Sequence, residues 1–195
     1  MYRIDGKIMS DIIIPDKSVY VFEIDDVLYP KRDYLLQVYY LFSNFVEYSE
    51  GRPLSQEILA FMKDTFESDG EEEVLSRTIN HFQLDAAYCE NFERLQANAH
   101  LPLKLLLKDT VKNRLLTLFE QGRQVGILTD GNPVEQLNKL KHIDWQELSA
   151  FLPSLKVFFI KELTFRHINT IDYLVEEYRV SADEIEIITD TESIF

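Results

Sequence analysis

Residues 19–30 have the sequence VYVFEIDDVLYP. The first six are apolar apart from Glu23, further carboxylates stand at positions 25 and 26, and Pro30 closes the stretch. A short apolar run that ends in charged residues and a proline is typical of a buried strand followed by a loop. The stretch therefore predicts a strand over residues 19–24 with acidic side chains at its carboxyl end.

Three further runs of this kind cover residues 124–129, 155–160 and 185–188. Between them, apolar residues recur at helical spacing over 109–121 and 168–178, and Gly122 marks the end of the first of these helices. Strands that alternate with helices form parallel sheets covered on both faces. We therefore expect an α/β protein with a Rossmann-like, doubly wound parallel sheet.

The block between the first strand and residue 109 has helical periodicity only, over 34–48, 55–66, 74–82 and 86–97. It is too long for an ordinary crossover and predicts a small all-helical cap inserted into the core. The expected division is an α/β core of residues 1–30 and 108–195 and a cap of residues 31–107. Ligands bind beyond the carboxyl ends of the strands in such sheets, so the cap would lie over the site.

Composition limits the partners and the compartment. Thirty-four acidic against twenty basic residues give a net charge of −14, which opposes binding to nucleic acids or to anionic membranes. The single cysteine, Cys89, cannot form an internal disulfide, and from the sequence we expect neither a signal peptide nor a membrane span. We expect a cytoplasmic protein without nucleic-acid or membrane partners. The oligomeric state stays open.

Oxygen-bearing side chains follow the predicted strands. Glu23 and Asp25 follow the first strand, Thr129 ends the second and Asp190 follows the fourth. Alternation along an extended segment would place Glu23 and Asp25 on one side, where with Asp190 they would form an oxygen site suited to Mg²⁺. Thr129 would hydrogen-bond a phosphoryl oxygen. The alternatives are ordinary ones: solvated loop carboxylates at 23 and 25, and a helix N-cap at Asp190.

These motifs resemble those of the haloacid dehalogenase-like superfamily. Its phosphatases have a first motif of the form FDLDDTLY and often a second of the form TNGNP, followed by a helix with the pattern QxxKL. Here residues 22–30 are FEIDDVLYP, residues 129–133 are TDGNP and residues 136–140 are QLNKL. The order of the motifs, the helical insertion after the first motif (the class 1 cap of the family) and the final strand agree over nearly the whole chain.

The resemblance implies a Mg²⁺-dependent hydrolase with a covalent phosphoryl intermediate. Glu23 would occupy the position of the nucleophile, and Asp25 would protonate the leaving oxygen and then activate water. The Mg²⁺ site would comprise Glu23, Asp25 and Asp190. The substrate would be a small-molecule phosphate monoester, such as a nucleotide or a sugar phosphate. The substrate-binding residues of the second motif would be Thr129, Asp130 and Gly131.

Several positions depart from the family pattern. Glu23 replaces the nucleophilic aspartate, and its extra methylene moves the carboxylate by on the order of 1 Å, enough to slow catalysis. Arg166, or with less support Lys161, would stand in for the catalytic lysine of the third motif, although a guanidinium differs in shape from an ammonium. Ile194 replaces an aspartate of the fourth motif. The alternative function is therefore a catalytically silent relative with a binding or regulatory role. Because relatives continue beyond the fourth motif, a truncated product is a third possibility.

Overall fold

The computed structural model describes residues 16–189. Its strands are β1 (Val19–Phe22), β2 (Leu105–Leu106), β3 (Gln124–Thr129), β4 (Ile143–Asp144), β5 (Lys156–Phe159) and β6 (Ile185–Ile188). Four of them form a parallel sheet in the order β5-β3-β1-β6, and β2 pairs in parallel with β4. The central position of β1 explains why all four of its residues are buried.

Eight α-helices connect these strands within the described residues. They are α1 (Lys31–Glu50), α2 (Ser55–Asp69), α3 (Glu71–Phe82), α4 (Ala87–Asn98), α5 (Asp109–Glu120), α6 (Pro133–His142), α7 (Ile160–Phe165) and α8 (Thr170–Tyr178). Short 3₁₀ helices cover Gln146–Ser154 and Ala182–Glu184. None of the helices in residues 16–189 has the length and apolarity that a membrane crossing requires.

The sheet is covered on both faces. Alternation along β1 sends Tyr20 and Phe22 into one apolar cluster, and sends Val19 and Val21 into a second cluster that includes Leu174 of α8. The first cluster is the larger one and continues into the helices that follow β1. The prediction of a doubly wound parallel α/β sheet is confirmed.

Helices α1 to α4 lie within the segment predicted as the cap. Aromatic rings fill the space between them: the Phe42 and Phe92 rings pack edge to face at 5.2 Å, and the Tyr39 ring stacks on Phe92 at 6.2 Å. Helix α4 also contacts α6, which follows β3. The same apolar cluster reaches both the helical segment and the sheet. The division into separate core and cap domains stays a prediction.

Two strands are shorter than their apolar runs. The first run extends to residue 24, but β1 ends at Phe22 because the chain turns, with the Leu28 N–H donating to the carbonyl of Ile24 at 3.0 Å. The third run extends to residue 160, whereas α7 begins at Ile160, directly after β5. The runs at 124–129 and 185–188 match β3 and β6.

Candidate active site

A cavity of about 340 Å³ opens at the carboxyl ends of β1 and β3. The residues that line it from the sheet side are Glu23, Ile24, Asp25, Thr129, Asp130, Gly131, Glu135 and Gln136. Those that line it from the helical segment are Lys31, Glu71 and Gln96. The helical segment therefore forms one wall of a cavity at the strand ends, where a parallel sheet is expected to bind its ligand.

A tight turn after β1 delivers the first two carboxylates to this cavity. Asp26 adopts a left-handed conformation (φ 61°), which aspartate tolerates better than most residues. Its carboxylate accepts a hydrogen bond of 2.8 Å from the N–H of Lys31 at the start of α1. Glu23 and Asp25 both line the cavity, as predicted, but both lie beyond Phe22, the last residue of β1. The turn, and not alternation along a strand, therefore brings them together.

Three side chains surround the carboxylate of Asp25. The ammonium of Lys139 donates to both oxygens, at 2.9 Å to Oδ1 and 2.7 Å to Oδ2. The Gln136 amide donates to Oδ2 at 3.3 Å, and the Tyr29 hydroxyl to Oδ1 at 3.4 Å. Burial, followed by the negative charge of Asp25, raises the pKa of Tyr29 far above its ordinary value, so the phenol remains a donor.

Lys139 is a fully buried cation. Its side chain has no exposed surface, and besides Asp25 its ammonium meets Oε1 of Glu135 at 2.7 Å. The ring of Tyr34 lies 4.9 Å from the ammonium, within the range of a cation–π contact. Removing an ammonium from water is costly unless it is paired, so these partners account for the burial of Lys139. Burial also raises the pKa of Tyr34 to about 12, although a hydrogen bond from Asn138 opposes the shift.

The second motif explains how α6 reaches Asp25. Asn132 caps the helix by accepting from the Val134 N–H at 2.9 Å, and Pro133 occupies the first helical position. At Gly131 a Cβ atom would lie 2.1 Å from the amide nitrogen of Gln136, so glycine lets this side chain fold back toward Asp25. The other amide atom of Gln136, Oε1, is buried and has no hydrogen-bond partner among residues 16–189.

The residues predicted to bind the phosphoryl group also line the cavity. Thr129 ends β3 and is 6% exposed, and its hydroxyl lies 3.4 Å from the N–H of Gly131, which donates to it. Asp130 is exposed at the cavity surface. These three residues surround the space beside Asp25, and their role in binding substrate stays a prediction.

The wall from the helical segment is held by an ion pair. Lys31 at the start of α1 donates to the carboxylate of Glu71 at the start of α3, and the amide of Gln96 donates to Glu71 at 3.3 Å. Burial opposes the charge of Lys31, but the hydrogen bond and the charge of Glu71 outweigh it, so the pKa of Lys31 is raised.

The charge of the cavity is negative. Five carboxylates line it, and among the described lining residues Lys31 is the one cation, with Lys139 behind the wall. The carboxylates are those of Glu23, Asp25, Glu71, Asp130 and Glu135. A phosphate ester would be repelled unless a further cation entered with it.

Oxygen donors of this kind suit Mg²⁺. Glu23 and Asp25 both line the cavity, so two of the three predicted ligands share one space. Within residues 16–189 no cluster of three or more acidic, histidine or cysteine side chains is arranged to hold a metal ion. The third predicted ligand, Asp190, lies outside the described residues, as does Ile194. The donor chemistry therefore fits the metal, and the complete ligand set stays a prediction.

Arg166 does not reach this cavity. It follows α7, its side chain is 52% exposed, and its guanidinium lies 3.6 Å from Glu162 on the same helix. It borders a separate cavity of about 60 Å³ beside Phe158. Helix α7 explains the separation, since six helical residues rise about 9 Å from the end of β5. Lys161 is exposed on the first turn of α7 and does not line the active-site cavity either.

Lys139 is a functional candidate that the sequence motifs do not identify. Its only signal was the QLNKL pattern after the second motif, in which Gln136 and Lys139 stand three residues apart and so share a helix face. That spacing indicates a common face but does not identify Asp25, 114 residues away, as the shared partner.

The fold and the cavity define an α/β protein with a cavity at the carboxyl end of a parallel sheet. No protein-family model matches the sequence, and no curated protein matches it significantly. Solved structures do match. A protein assigned as a β-phosphoglucomutase from Thermotoga maritima has a TM-score of 0.52 and 15% identity, over 87% of this chain and 74% of that one.

A second match is YfnB from Bacillus subtilis, a protein assigned as a haloacid dehalogenase-like hydrolase and solved with bound magnesium. It has a TM-score of 0.50 and 16% identity, over 88% of this chain and 78% of its own. The present chain therefore has the haloacid dehalogenase-like fold, as the motifs predicted. At these identities the comparison establishes the fold.

Proposed function

We propose that the protein is a Mg²⁺-dependent phosphatase that hydrolyses a small phosphate monoester. The observation that carries the proposal is the cavity at the strand ends, which Glu23, Asp25 and the second-motif residues line together. A nucleophilic carboxylate, a second carboxylate and phosphoryl-binding groups are the components that hydrolysis through a covalent intermediate requires.

The reaction has two steps. A carboxylate oxygen of Glu23 bonds to phosphorus while the bond from phosphorus to the ester oxygen breaks, and Asp25 gives its proton to the departing oxygen. Water then bonds to phosphorus, the bond from phosphorus to Glu23 breaks, and Asp25 takes the proton of the water. Phosphate and the alcohol leave, and both carboxyl groups return to their initial forms.

Mg²⁺ would be held by Glu23 and Asp25 together with Asp190, and would neutralise the charge that gathers on the phosphoryl oxygens. The negative charge of the cavity supports this requirement, since an anionic substrate needs a cation among these five carboxylates.

The lining of the cavity favours a sugar phosphate over a nucleotide. Among its described residues there is no aromatic ring on which a base could stack, whereas Glu71 and Gln96 carry carboxylate and amide groups on the helical wall. Such groups pair with the hydroxyls of a small polar alcohol.

The test is the hydrolysis of p-nitrophenyl phosphate with and without Mg²⁺. We expect activity that requires Mg²⁺, a higher rate for Glu23→Asp because the shorter side chain restores the reach of the nucleophile, and a loss of about 10²–10⁴-fold for Asp25→Asn. Asp64→Asn, an exposed aspartate on α2, is the matched control and should leave the rate unchanged. Hydrolysis that survives Asp25→Asn would refute the proposal.

A second candidate, a catalytically silent protein with a binding or regulatory role, is favoured by one observation. The Asp25 carboxylate accepts hydrogen bonds from Lys139, Gln136 and Tyr29, so contacts within the protein account for this charged group without a catalytic role. If the protein is catalytically silent, Glu23→Asp should hydrolyse p-nitrophenyl phosphate only at the background rate.

A further inference from the structure

We propose that Lys139 is the positioning residue of the active site, and that it holds the Asp25 carboxylate in the orientation in which Asp25 takes a proton from water. The inference rests on the proposed function. The fixed cation would then lie on helix α6, and not at Arg166 or Lys161, where the sequence motifs predict it.

The hydrogen bonds of Lys139 support this role. An ammonium has three N–H donors, and three carboxylate oxygens surround this one at 2.7–2.9 Å, two from Asp25 and one from Glu135. All three donors are thus used within the protein. Lys139 has no donor left for a substrate, so its effect on the reaction passes through Asp25.

The surroundings of Lys139 fix its position. Its side chain is completely buried, so it cannot swing toward solvent, and the ring of Tyr34 lies 4.9 Å from the ammonium. Gln136, one helical turn earlier, donates to the same carboxylate at 3.3 Å. Helix α6 therefore holds Asp25 through two side chains of one face, while Tyr29 contacts the carboxylate from the turn after β1.

Orientation matters in this site because the carboxylate must accept a proton from a water molecule in line with phosphorus. A displacement of about 1 Å in a catalytic group can lower the rate by about 10²-fold. Without Lys139, the Asp25 side chain would keep only the longer hydrogen bonds from Gln136 and Tyr29, at 3.3 and 3.4 Å.

The experiment compares Lys139→Met with Lys141→Met, a matched substitution at an exposed lysine on the same helix. The substrate is p-nitrophenyl phosphate with Mg²⁺, because nitrophenolate departs without a proton. With this substrate Asp25 acts only in the second step, in which its carboxylate takes a proton from water and afterwards releases it to solvent. We expect the phosphorylated intermediate, trapped by acid and measured by mass spectrometry, to decay about 10²-fold more slowly in Lys139→Met than in Lys141→Met.

Steady-state rates give a second readout. When only the second step slows, kcat and KM fall together and kcat/KM stays close to its original value. A role confined to stability would lower kcat/KM and leave the lifetime of the intermediate unchanged, and this result would overturn the proposal. A Lys139→Met protein that is as active as the wild type, or more active, would also overturn it.

Folding is checked by circular dichroism. If Lys139→Met does not fold, Glu135→Gln is added, since the double variant leaves one buried carboxylate without its partner rather than two, and the same two readouts apply. Absence of Mg²⁺-dependent hydrolysis by the wild type would overturn the proposed function and this assignment with it. Normal decay of the intermediate in an active Lys139 variant would overturn this assignment alone.

Discussion

Two basic side chains lie beyond the carboxyl ends of the neighbouring strands β3 and β5, and their surroundings are opposite. Lys139 is buried and meets carboxylate oxygens of two residues at 2.7–2.9 Å. Arg166 is half exposed and lies 3.6 Å from one carboxylate of its own helix. The two cations are therefore distinguished by their burial and their partners, which the type of residue does not reveal.

The largest expected effect is on stability. Lys139→Met should lower the free energy of unfolding by about 3–5 kcal/mol, because Asp25 and Glu135 would remain as unpaired, partly buried charges. Arg166→Met should change it by less than about 0.5 kcal/mol, since exposed ion pairs contribute little. Urea unfolding at neutral pH measures the free energy of unfolding of both variants. Similar losses of stability for Lys139→Met and Arg166→Met would contradict the difference between the two regions.

Two glycines allow a second comparison, between the surroundings of Asp25 and the surroundings of Phe158. At Gly131 a new Cβ would meet the Gln136 side chain, and at Gly126 in β3 it would meet the hydroxyl of Tyr178 at 2.3 Å and the ring of Phe158 at 3.1 Å. Replacement by alanine should cost about 1–3 kcal/mol at either position, because both sites are closely packed. Only Gly131→Ala should also lower phosphatase activity, because it displaces Gln136 from Asp25. Equal activity losses, compared at equal folded fractions, would contradict this distinction.

The sequence predicts the sheet well because its signals are local. The runs that became β3 and β6 are bounded by polar residues at both ends, and the helix over 109–120 ends just before Gly122. The run at 155–160 was predicted too long because apolar Ile160 fits a buried strand as well as the first turn of a helix.

The candidate site was predicted only in part. The second-motif residues and Asp25 line one cavity because parallel strands end at the same edge of the sheet. The partnership of Lys139 with Asp25 depends on the packing of α6 against the turn after β1, across 114 residues of sequence. Helical periodicity indicates which residues are buried but not which distant carboxylate they contact. The motif pattern alone therefore predicts a cation at Arg166.

Two tyrosine hydroxyls allow a third comparison, for which the expected change in stability is smaller. Tyr29 donates to Asp25 at 3.4 Å, whereas the hydroxyl of Tyr178, packed beside Phe158 of β5, is buried without a hydrogen-bond partner in the described structure. Tyr29→Phe should cost about 1 kcal/mol of unfolding free energy, and Tyr178→Phe should be neutral or slightly stabilising because an unpaired polar group is removed. Thermal unfolding of the two variants measures the difference, and a larger loss for Tyr178→Phe would contradict it.

The smallest expected effect concerns alkaline pH and the ion pair between Lys31 and Glu71. The pKa of Lys31 is raised above its ordinary value of 10.5 in the folded protein, where the pairing with Glu71 outweighs the opposing effect of burial. The folded state therefore binds this proton more tightly than the unfolded state does.

The resulting stabilisation is fully present below pH 10.5 and is lost as the pH rises through the folded-state pKa. The unfolding free energies of the wild type and Lys31→Met should thus differ at pH 9 and converge once the pH exceeds the raised folded-state pKa of Lys31. Lys156→Met is the matched control, because Lys156 pairs with Glu177 at 2.8 Å on the exposed side of β5. A difference between the wild type and Lys31→Met that stays constant across this range would mean that the Lys31 charge does not stabilise the cavity wall.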